Sequence, residues 1–281
     1  MASWMVHLRV ADRLLDRLEG IREKELIMGN IAPDSGVPNA DWTAYAPPTE
    51  VSHFKTYLGD RAVKIDVESY LQQYFTVEKR KKYSPEQYSF YLGYLIHLLT
   101  DLEWIARVYN PSIARYQEAH AADSYKLLWT LKKDWYDLDF LYLRKHPDFR
   151  AFRIYENAVG FVNRYMDIFA EDAFENRREY IIDFYRGDRE NIEREYIYLT
   201  EAQAQQFVED CVEAVQENWR KWDARKFGFR RETAGGTAIS GTFCDPGDGD
   251  SGIGKECAGG EAFRGSGPAV VFQGSYQGGV I

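Results

Sequence analysis

The spacing of apolar residues along the first 232 residues is that of a helical protein. Near the amino terminus it places apolar side chains on one face of a helix, at Val6, Val10, Leu14 and Leu18. This pattern predicts a first helix over about residues 3–19, with His7 on its inward face. Strand-like alternation is almost absent, so the predicted fold class is all-α, as one multi-helix domain.

Further helices are predicted where helical spacing recurs beside start and stop signals. The strongest start signals are two capping boxes, Ser84 with Gln87 and Thr200 with Gln203, and Pro85 reinforces the first. The helices predicted after the first one cover about residues 22–28, 66–75, 84–109, 113–129, 135–143, 148–169 and 200–222.

The segment after the second predicted helix has a different pattern. That helix is predicted to stop at Gly29, since glycine commonly follows a helix end and Pro33 cannot continue a helix. Residues 35–66 then contain proline, glycine and aromatic residues without periodicity. They predict a long ordered loop, and such loops on a rigid scaffold often carry function.

The composition changes abruptly after residue 232. Residues 233–281 hold 14 of the chain's 22 glycines and only short apolar patches. Such a segment cannot bury enough surface to offset its ordering entropy, so we predict a disordered glycine-rich tail, with a frame-shifted or fused end as the alternative. The predicted domains are a helical body, residues 1–232, and the tail, residues 233–281.

Charge and composition exclude several classes of protein. The 281 residues carry 44 acidic and 35 basic side chains, and the net charge of −9 gives no general attraction to nucleic acid. No apolar run is long enough to span a membrane, and charged residues interrupt the apolar positions at the amino terminus. Neither a transmembrane segment nor a signal peptide is expected, and a cytoplasmic location is predicted. The three cysteines form no CxxC motif, so any metal must be held by histidine and carboxylate.

The sharpest chemical motif is a histidine and an aspartate four residues apart, His97 and Asp101. In a helix this spacing puts both side chains on one face, where they can share a metal ion. Gly93 lies one turn earlier on that face, where glycine costs about 1 kcal/mol relative to alanine. It indicates a close approach by a ligand or a neighbouring helix. The alternative for the pair is a hydrogen bond inside a helical bundle.

Two further motifs supply ligands from separate segments. The motif GNIAPD at residues 29–34 ends on Asp34, and SHF at residues 52–54 places His53 between two other loop residues. With the helical pair they offer two imidazoles and two carboxylates, which is a ligand set that zinc accepts.

Together these motifs resemble those of the bacterial zinc-dependent phospholipase C family, which is related to fungal single-strand nucleases. The resemblance rests on His7, on GNIAPD and SHF, and on GYLIHLLTD at residues 93–101, in that order, and it covers about residues 1–110. It implies a fully helical fold with up to three zinc ions in a cleft, of which at least one is expected here.

The resemblance also implies roles for individual residues. One zinc ion would be bound by Asp34, His53, His97 and Asp101. Asp101 would bridge toward a second zinc ion that His7 also binds. Asp34 would be catalytic, because it positions or deprotonates the attacking water. The sequence identifies no substrate-binding residue.

The sequence departs from the family pattern at two places. Secreted members begin with a tryptophan whose amino group and carbonyl bind zinc, whereas Trp4 here follows three other residues. The family also has a histidine shortly after the HxxxD motif, but residues 102–119 contain none. The candidate pair for a further metal is His120 with Asp123, three apart on a predicted helix, and a solvated helix face is the alternative.

The function implied by the resemblance is metal-dependent hydrolysis of phosphoesters by metal-activated water. Zinc is the expected cofactor, and the expected substrate is a phospholipid-like phosphodiester, recognised as a phospholipid head group or a small phosphoester. Nucleic acid is not an expected partner, given the negative charge. The alternative is a metal-binding or structural helical protein that has lost catalysis.

Overall fold

The computed structural model describes residues 1–40, 44–58 and 62–226. Within these residues the chain is predominantly helical, which confirms the all-α class. Helices α1 to α12 cover, in chain order, Trp4–Leu15, Glu23–Ile31, Thr49–Ser52, Val67–Tyr74, Val77–Arg80, Pro85–Trp104, Asn110–Arg115, Gln117–Ala122, Ser124–Lys145, Arg150–Glu156, Ala173–Arg186 and Glu201–Lys226. The domain boundary predicted after residue 232 and the predicted glycine-rich tail lie outside the described residues.

Short irregular elements extend two of these helices and fill the predicted loop. The 3-10 turn Ala32–Asp34 follows α2, and the π-helical segment Ile105–Tyr109 follows α6. The segment predicted to be a loop contains α3 and two antiparallel strand pairs. Strand β1, Val37–Pro38, pairs with β2, Tyr45–Ala46, and β3, Lys55–Leu58, pairs with β4, Ala62–Ile65. With two to four residues each, these strands are too short to produce a recognisable alternation.

Both predicted capping boxes are formed. The Ser84 hydroxyl accepts a hydrogen bond from the Gln87 backbone N at 3.2 Å, and the Gln87 side chain accepts one from the Ser84 backbone N at 3.1 Å. Thr200 and Gln203 make the same reciprocal pair, at 3.2 and 2.9 Å. These contacts satisfy backbone donors that have no partner inside the helix, and they fix the first residues of α6 and α12.

Several predicted helix bounds are wrong. Helix α1 ends at Leu15, and the helix predicted over 113–129 is divided into α7, α8 and the start of α9. The helix predicted over 148–169 keeps only its first turns as α10, since the chain is irregular from Asn157 and reaches a left-handed φ of 73° at Gly160. Helix α11 was not predicted at all, because its many charged residues weaken the apolar period.

A pair of glycines explains how α2 and α6 pack. A Cβ atom on Gly29 would lie 2.1 Å from the Phe90 carbonyl oxygen, and one on Gly93 would lie 2.0 Å from the Leu26 carbonyl oxygen. The two helices therefore cross in direct backbone contact. Gly29 lies inside α2 and does not end it, which corrects the predicted stop, and the neighbour required by Gly93 is a helix.

The elements around the crossing hold the amino-terminal helix in place. Helix α1 packs against α2, α6, α10 and α12. Its N-cap, Ser3, donates a hydrogen bond to the Asp139 carboxyl on α9 at 2.9 Å. From α11, Arg177 donates to the Gly36 carbonyl at 2.8 Å and so holds the chain just after the 3-10 turn. Among the described helices none combines the length and the apolarity needed to cross a bilayer.

Candidate metal centre

Five residues predicted as ligands converge at the crossing of α2 and α6. His7 lies on α1, His97 and Asp101 lie on α6, Asp34 ends the 3-10 turn, and His53 follows α3. The three histidines and Asp101 are fully buried, whereas the Asp34 side chain keeps 16% of its surface exposed. They form two overlapping groups that share His97, and the ligand atoms of each group lie within 4.8 Å of one another. The centre therefore opens to solvent on the Asp34 side.

The orientation of His97 is fixed by a backbone carbonyl. Its Nδ1 atom lies 2.7 Å from the carbonyl oxygen of Asn30 on α2. Because a carbonyl oxygen can only accept, Nδ1 carries a proton, and Nε2 is the nitrogen that can bind a metal once it is unprotonated. The Nε2 atom has no hydrogen-bond partner among the described residues. His97 is thus presented in the tautomer that binds a metal through Nε2.

The loop histidine is held from two directions. The Nδ1 atom of His53 lies 2.9 Å from the Ser52 hydroxyl, and its Nε2 atom lies 3.1 Å from Asp34 Oδ1. The Tyr94 hydroxyl of α6 donates to the Ser52 carbonyl and ties this turn to the helix. His53 and Asp34 consequently face each other with little freedom to move apart.

Asp101 uses its two oxygen atoms on different neighbours. Its Oδ1 atom accepts a hydrogen bond from the Ala2 backbone N at 2.9 Å and lies 3.4 Å from His7 Nε2. Its Oδ2 atom lies 3.6 Å from His97 Nε2 and 3.9 Å from His53 Nε2. The carboxylate therefore faces both ligand groups, as a bridging ligand would.

The donor set fits a divalent transition metal. Buried polar atoms without a hydrogen-bond partner among the described residues include His7 Nε2, His97 Nε2 and Asp101 Oδ2, which face one another. A buried polar atom without a partner is costly, so a cation fits as the common partner of these three atoms. Ligands about 2.0–2.1 Å from a tetrahedral zinc ion lie roughly 3.3 Å apart, and the separations of 3.1, 3.4 and 3.6 Å given above are close to this value.

Both aspartates are held ionised. Burial acts to raise the pKa of Asp101, but its contacts with His7 and His97 outweigh burial and keep the pKa well below its usual range. Burial likewise acts to raise the pKa of Asp34, and the hydrogen bond with His53 and the charge of His97 lower it below its ordinary value. Two anionic carboxylates are therefore ready to bind a cation at neutral pH.

The three histidines differ in their proton affinity. Burial and, to a smaller extent, the Lys55 ammonium lower the pKa of His53 to about 4, and Asp34 opposes the shift. Burial and the neighbouring His97 lower the pKa of His7, whose ring stacks on the His97 ring at 3.7 Å between centroids. For His97 burial again acts downward, but Asp101 and Asp34 outweigh it and raise the pKa above its ordinary value. His97 is the imidazole that a metal must deprotonate.

The second predicted pair is not brought into such a group. Within the described residues His120 and Asp123 join no set of three or more potential ligands. Asp123 is exposed and is the N-cap of α9, where its carboxylate accepts a hydrogen bond from the Lys126 backbone N at 2.9 Å. This role of Asp123 needs no metal, and metal binding by the pair stays a prediction.

The sequence did not reveal how Trp4 packs or which groups orient the histidine ligands. Trp4 is the first residue of α1, and its ring packs edge-on against Phe184 on the unpredicted α11. The carbonyl of Asn30 and the hydroxyl of Ser52 belong to the quoted motifs, yet their bonds to histidine became visible only from the folded geometry. Position beside a ligand was their only signal in the sequence.

The fold and the site together define an all-α protein with a buried histidine and aspartate cluster suited to a metal. Residues 6–104 match the family model described as zinc dependent phospholipase C, and the match spans all five clustered residues. This part of the chain is therefore similar to the zinc-dependent phospholipase C family, which confirms the resemblance seen in the motifs. No curated protein and no solved structure matched the chain.

Proposed function

We propose that the protein is a zinc-dependent hydrolase of phosphoesters, with phospholipid head groups as its substrates. In this proposal Asp34, His53, His97 and Asp101 hold one zinc ion, and His7 with Asp101 holds a second. The observation that carries it is the convergence of three unpartnered buried atoms, His7 Nε2, His97 Nε2 and Asp101 Oδ2. The family match over residues 6–104 supports the choice of zinc and of phospholipid hydrolysis.

The residues of the cluster have separable roles. When bound, zinc would lower the pKa of a coordinated water and polarise a phosphoryl oxygen. Asp34 lies on the open side of the centre, where the attacking water must enter. Because its pKa is lowered, its carboxylate is a weak base. Its role is therefore to orient the water by accepting a hydrogen bond, and the proton passes onward to solvent.

The test combines metal content with turnover. Elemental analysis of protein purified without chelator should find at least one equivalent of zinc, and the loaded protein should hydrolyse a chromogenic phosphodiester or a phosphocholine ester. His97→Ala should lose both zinc and turnover with the fold retained, whereas His146→Ala should keep both. His146 is exposed and lies 2.8 Å from the Tyr142 carbonyl, outside both ligand groups.

The outcomes separate the two functions considered from the sequence. Less than a tenth of an equivalent of any transition metal, unchanged after reconstitution, would overturn the proposal. Stoichiometric zinc without turnover on any phosphoester would favour a metal-binding protein that has lost catalysis. A cytoplasmic location and the exclusion of nucleic acid remain predictions from the sequence.

A further inference from the structure

Two lysines lie near the cluster. Lys55 Nζ contacts Met1, whose neighbour Ala2 bonds Asp101. The Trp135 ring, one turn after Lys132, packs on the Trp104 ring, one turn after Asp101, at 5.2 Å between centroids. Lys55 lies on β3, two residues after His53, and Lys132 lies on α9. Both side chains are partly buried. The Asp34 carboxylate acts electrostatically on both ammonium groups, and the Lys55 ammonium also acts on Lys132. Since Asp34 is the ligand that solvent reaches, the lysines lie where a substrate would approach.

Neither lysine has an ion-pair partner in the part of the chain that the structure describes. Lys133, the next residue on α9, pairs with Asp137 at 2.8 Å, and Lys145 pairs with Glu201 at 2.7 Å. By contrast, the contact of Lys132 is with the Trp129 ring, at 4.9 Å from its centroid. Lys55 Nζ lies 2.7 Å from the Met1 thioether sulfur, which is a weak acceptor. Both ammonium groups therefore keep donors for another ligand.

The charge balance determines the sign of that ligand. A divalent ion would neutralise the carboxylates of Asp34 and Asp101, which are both ionised. The two lysines outnumber the Glu50 carboxylate that also acts on Lys55, so the open side of the centre would then be positive. Burial lowers the pKa of Lys132 to about 8, so its ammonium is still mostly protonated at neutral pH. A partly dehydrated positive site of this kind attracts an anion with several acceptor oxygens.

We infer that Lys55 and Lys132 form an anion-binding pair on the open side of the metal centre and hold the phosphoryl group of the substrate. This inference rests on the proposed function, because it places the phosphoryl group next to the metal. The pair binds and positions the substrate through charge-assisted hydrogen bonds to its non-bridging oxygens. Free phosphate and a phosphorylated head group share this chemistry.

The test measures phosphate binding directly. Zinc-loaded protein is titrated calorimetrically with inorganic phosphate and, separately, with phosphocholine as a soluble lipid head group. Lys55→Met and Lys132→Met should each weaken both ligands by about tenfold, the scale of one charge-assisted hydrogen bond. Lys132→Arg, which keeps the charge, should retain most of the affinity.

Matched controls remove charge at neighbouring positions. Lys133→Met lies next to Lys132 on the same helix, and its side chain is 60% exposed and paired with Asp137. Lys64→Met changes an exposed lysine on β4, opposite Thr56 of β3. Both should bind phosphate as the wild type does. Zinc content and melting temperature, measured for every variant, show that any lost affinity is not lost metal or lost fold.

Each outcome bears on one of the two proposals. Failure of the wild type to bind zinc would overturn the proposed function. If the wild type binds zinc and turns over substrate, but Lys55→Met and Lys132→Met bind phosphate like the controls, only the anion-binding pair is overturned. The same applies if the zinc-loaded wild type binds neither ligand. Loss of inorganic phosphate binding with phosphocholine binding unchanged would also overturn it, since the pair would then not hold the substrate.

Discussion

His97 and Asn30 are joined by a hydrogen bond from the imidazole Nδ1 atom to the backbone carbonyl oxygen, with 2.7 Å between the two atoms. The acceptor is a main-chain atom in the last turn of α2, so it keeps its function whatever side chain residue 30 carries. What controls the bond is the distance between α2 and α6. That distance depends on Gly29 and Gly93, whose missing side chains allow the two backbones to touch.

Gly93→Ala should therefore destabilise the protein by about 2 kcal/mol or more, although alanine is the better helix former. The added methyl group would lie 2.0 Å from the Leu26 carbonyl oxygen, which is backbone and cannot rotate away. Separation of the helices should also lengthen the His97 bond to Asn30 and weaken zinc binding. Denaturant unfolding and a zinc titration measure the two effects.

The control for that substitution is Gly187→Ala. There the nearest atoms to an added Cβ are carbonyl oxygens at 3.4 Å, and φ is −64°. This change should alter the free energy of unfolding by less than about 1 kcal/mol. Equal stabilities for the two variants would mean that the helix crossing tolerates a wider spacing.

Ser52→Ala should weaken zinc binding about 10- to 100-fold, the usual effect of losing a group that orients a ligand. The Ser52 hydroxyl, 2.9 Å from His53 Nδ1, sets the orientation of that ring. Competition with a chromophoric chelator gives the affinity. Ser69→Ala removes an exposed hydroxyl that donates to Asp66 at 2.8 Å, and it should leave zinc affinity unchanged. Similar losses for both serines would contradict a specific role for Ser52.

Zinc affinity should fall as pH falls, with the change governed by one histidine. The pKa values of His7 and His53 are lowered, so both rings are neutral at pH 7 and compete little with the metal. The pKa of His97 is raised, so zinc must displace its proton. Below that pKa the affinity should drop by about one decade per pH unit. Chelator competition between pH 6 and 8 gives the slope, and a pH-independent affinity would show that no imidazole proton is released.

The stability of the Asp139→Asn variant relative to the wild type should increase as pH rises. Burial raises the pKa of Asp139 from 3.8 to about 7, against the opposing hydrogen bonds from Ser3 and Tyr185. The folded state therefore holds this proton more tightly than the unfolded state. The contribution of Asp139 to the free energy of unfolding is largest below about pH 4. It is lost as pH rises to about 7 and stays lost above that pH. This shift in pKa corresponds to a change on the order of 4 kcal/mol in the free energy of unfolding.

The measurement is the difference in the free energy of unfolding between Asp139→Asn and wild type from pH 5 to pH 8. Taking the difference cancels the titration of the metal-centre histidines. An Asp148→Asn control, at a side chain that is 88% exposed, should show a flat difference. A flat difference for Asp139→Asn as well would mean that the Asp139 carboxyl ionises as readily in the folded chain as in the unfolded one.

The helices that the sequence predicted well are those with local signals. Ser84 and Thr200 start α6 and α12 through capping boxes formed by neighbouring residues, so no tertiary information was needed. The wrong predictions depended on distant contacts. Gly29 was interpreted as a helix end, although it serves the contact with Phe90, 61 positions further along the chain. Helix α11 is charged on much of its surface and forms because its apolar face packs into the core.

The candidate site likewise has parts that the sequence predicted and parts that depend on tertiary packing. Its ligand types were recognisable because the motifs around His53, His97 and Asp101 keep a family pattern, and the structure brings these residues together. Whether they bind zinc stays a prediction. Lys132 could not be recognised, because the direction of its side chain depends on how α9 packs. The adjacent Lys133 looks the same in sequence but pairs with Asp137.

The hydrogen bond from Ala2 to Asp101 joins residues 99 positions apart, and the candidate ligands are spread over almost the same length of chain. A partly folded chain cannot present this ligand set, so a metal ion would bind the native state alone and shift the unfolding equilibrium by mass action. At a free zinc concentration one hundred times the dissociation constant, the shift is about 2.7 kcal/mol. The thermal stability of this protein would then be a property of the zinc supply of its surroundings as much as of its sequence.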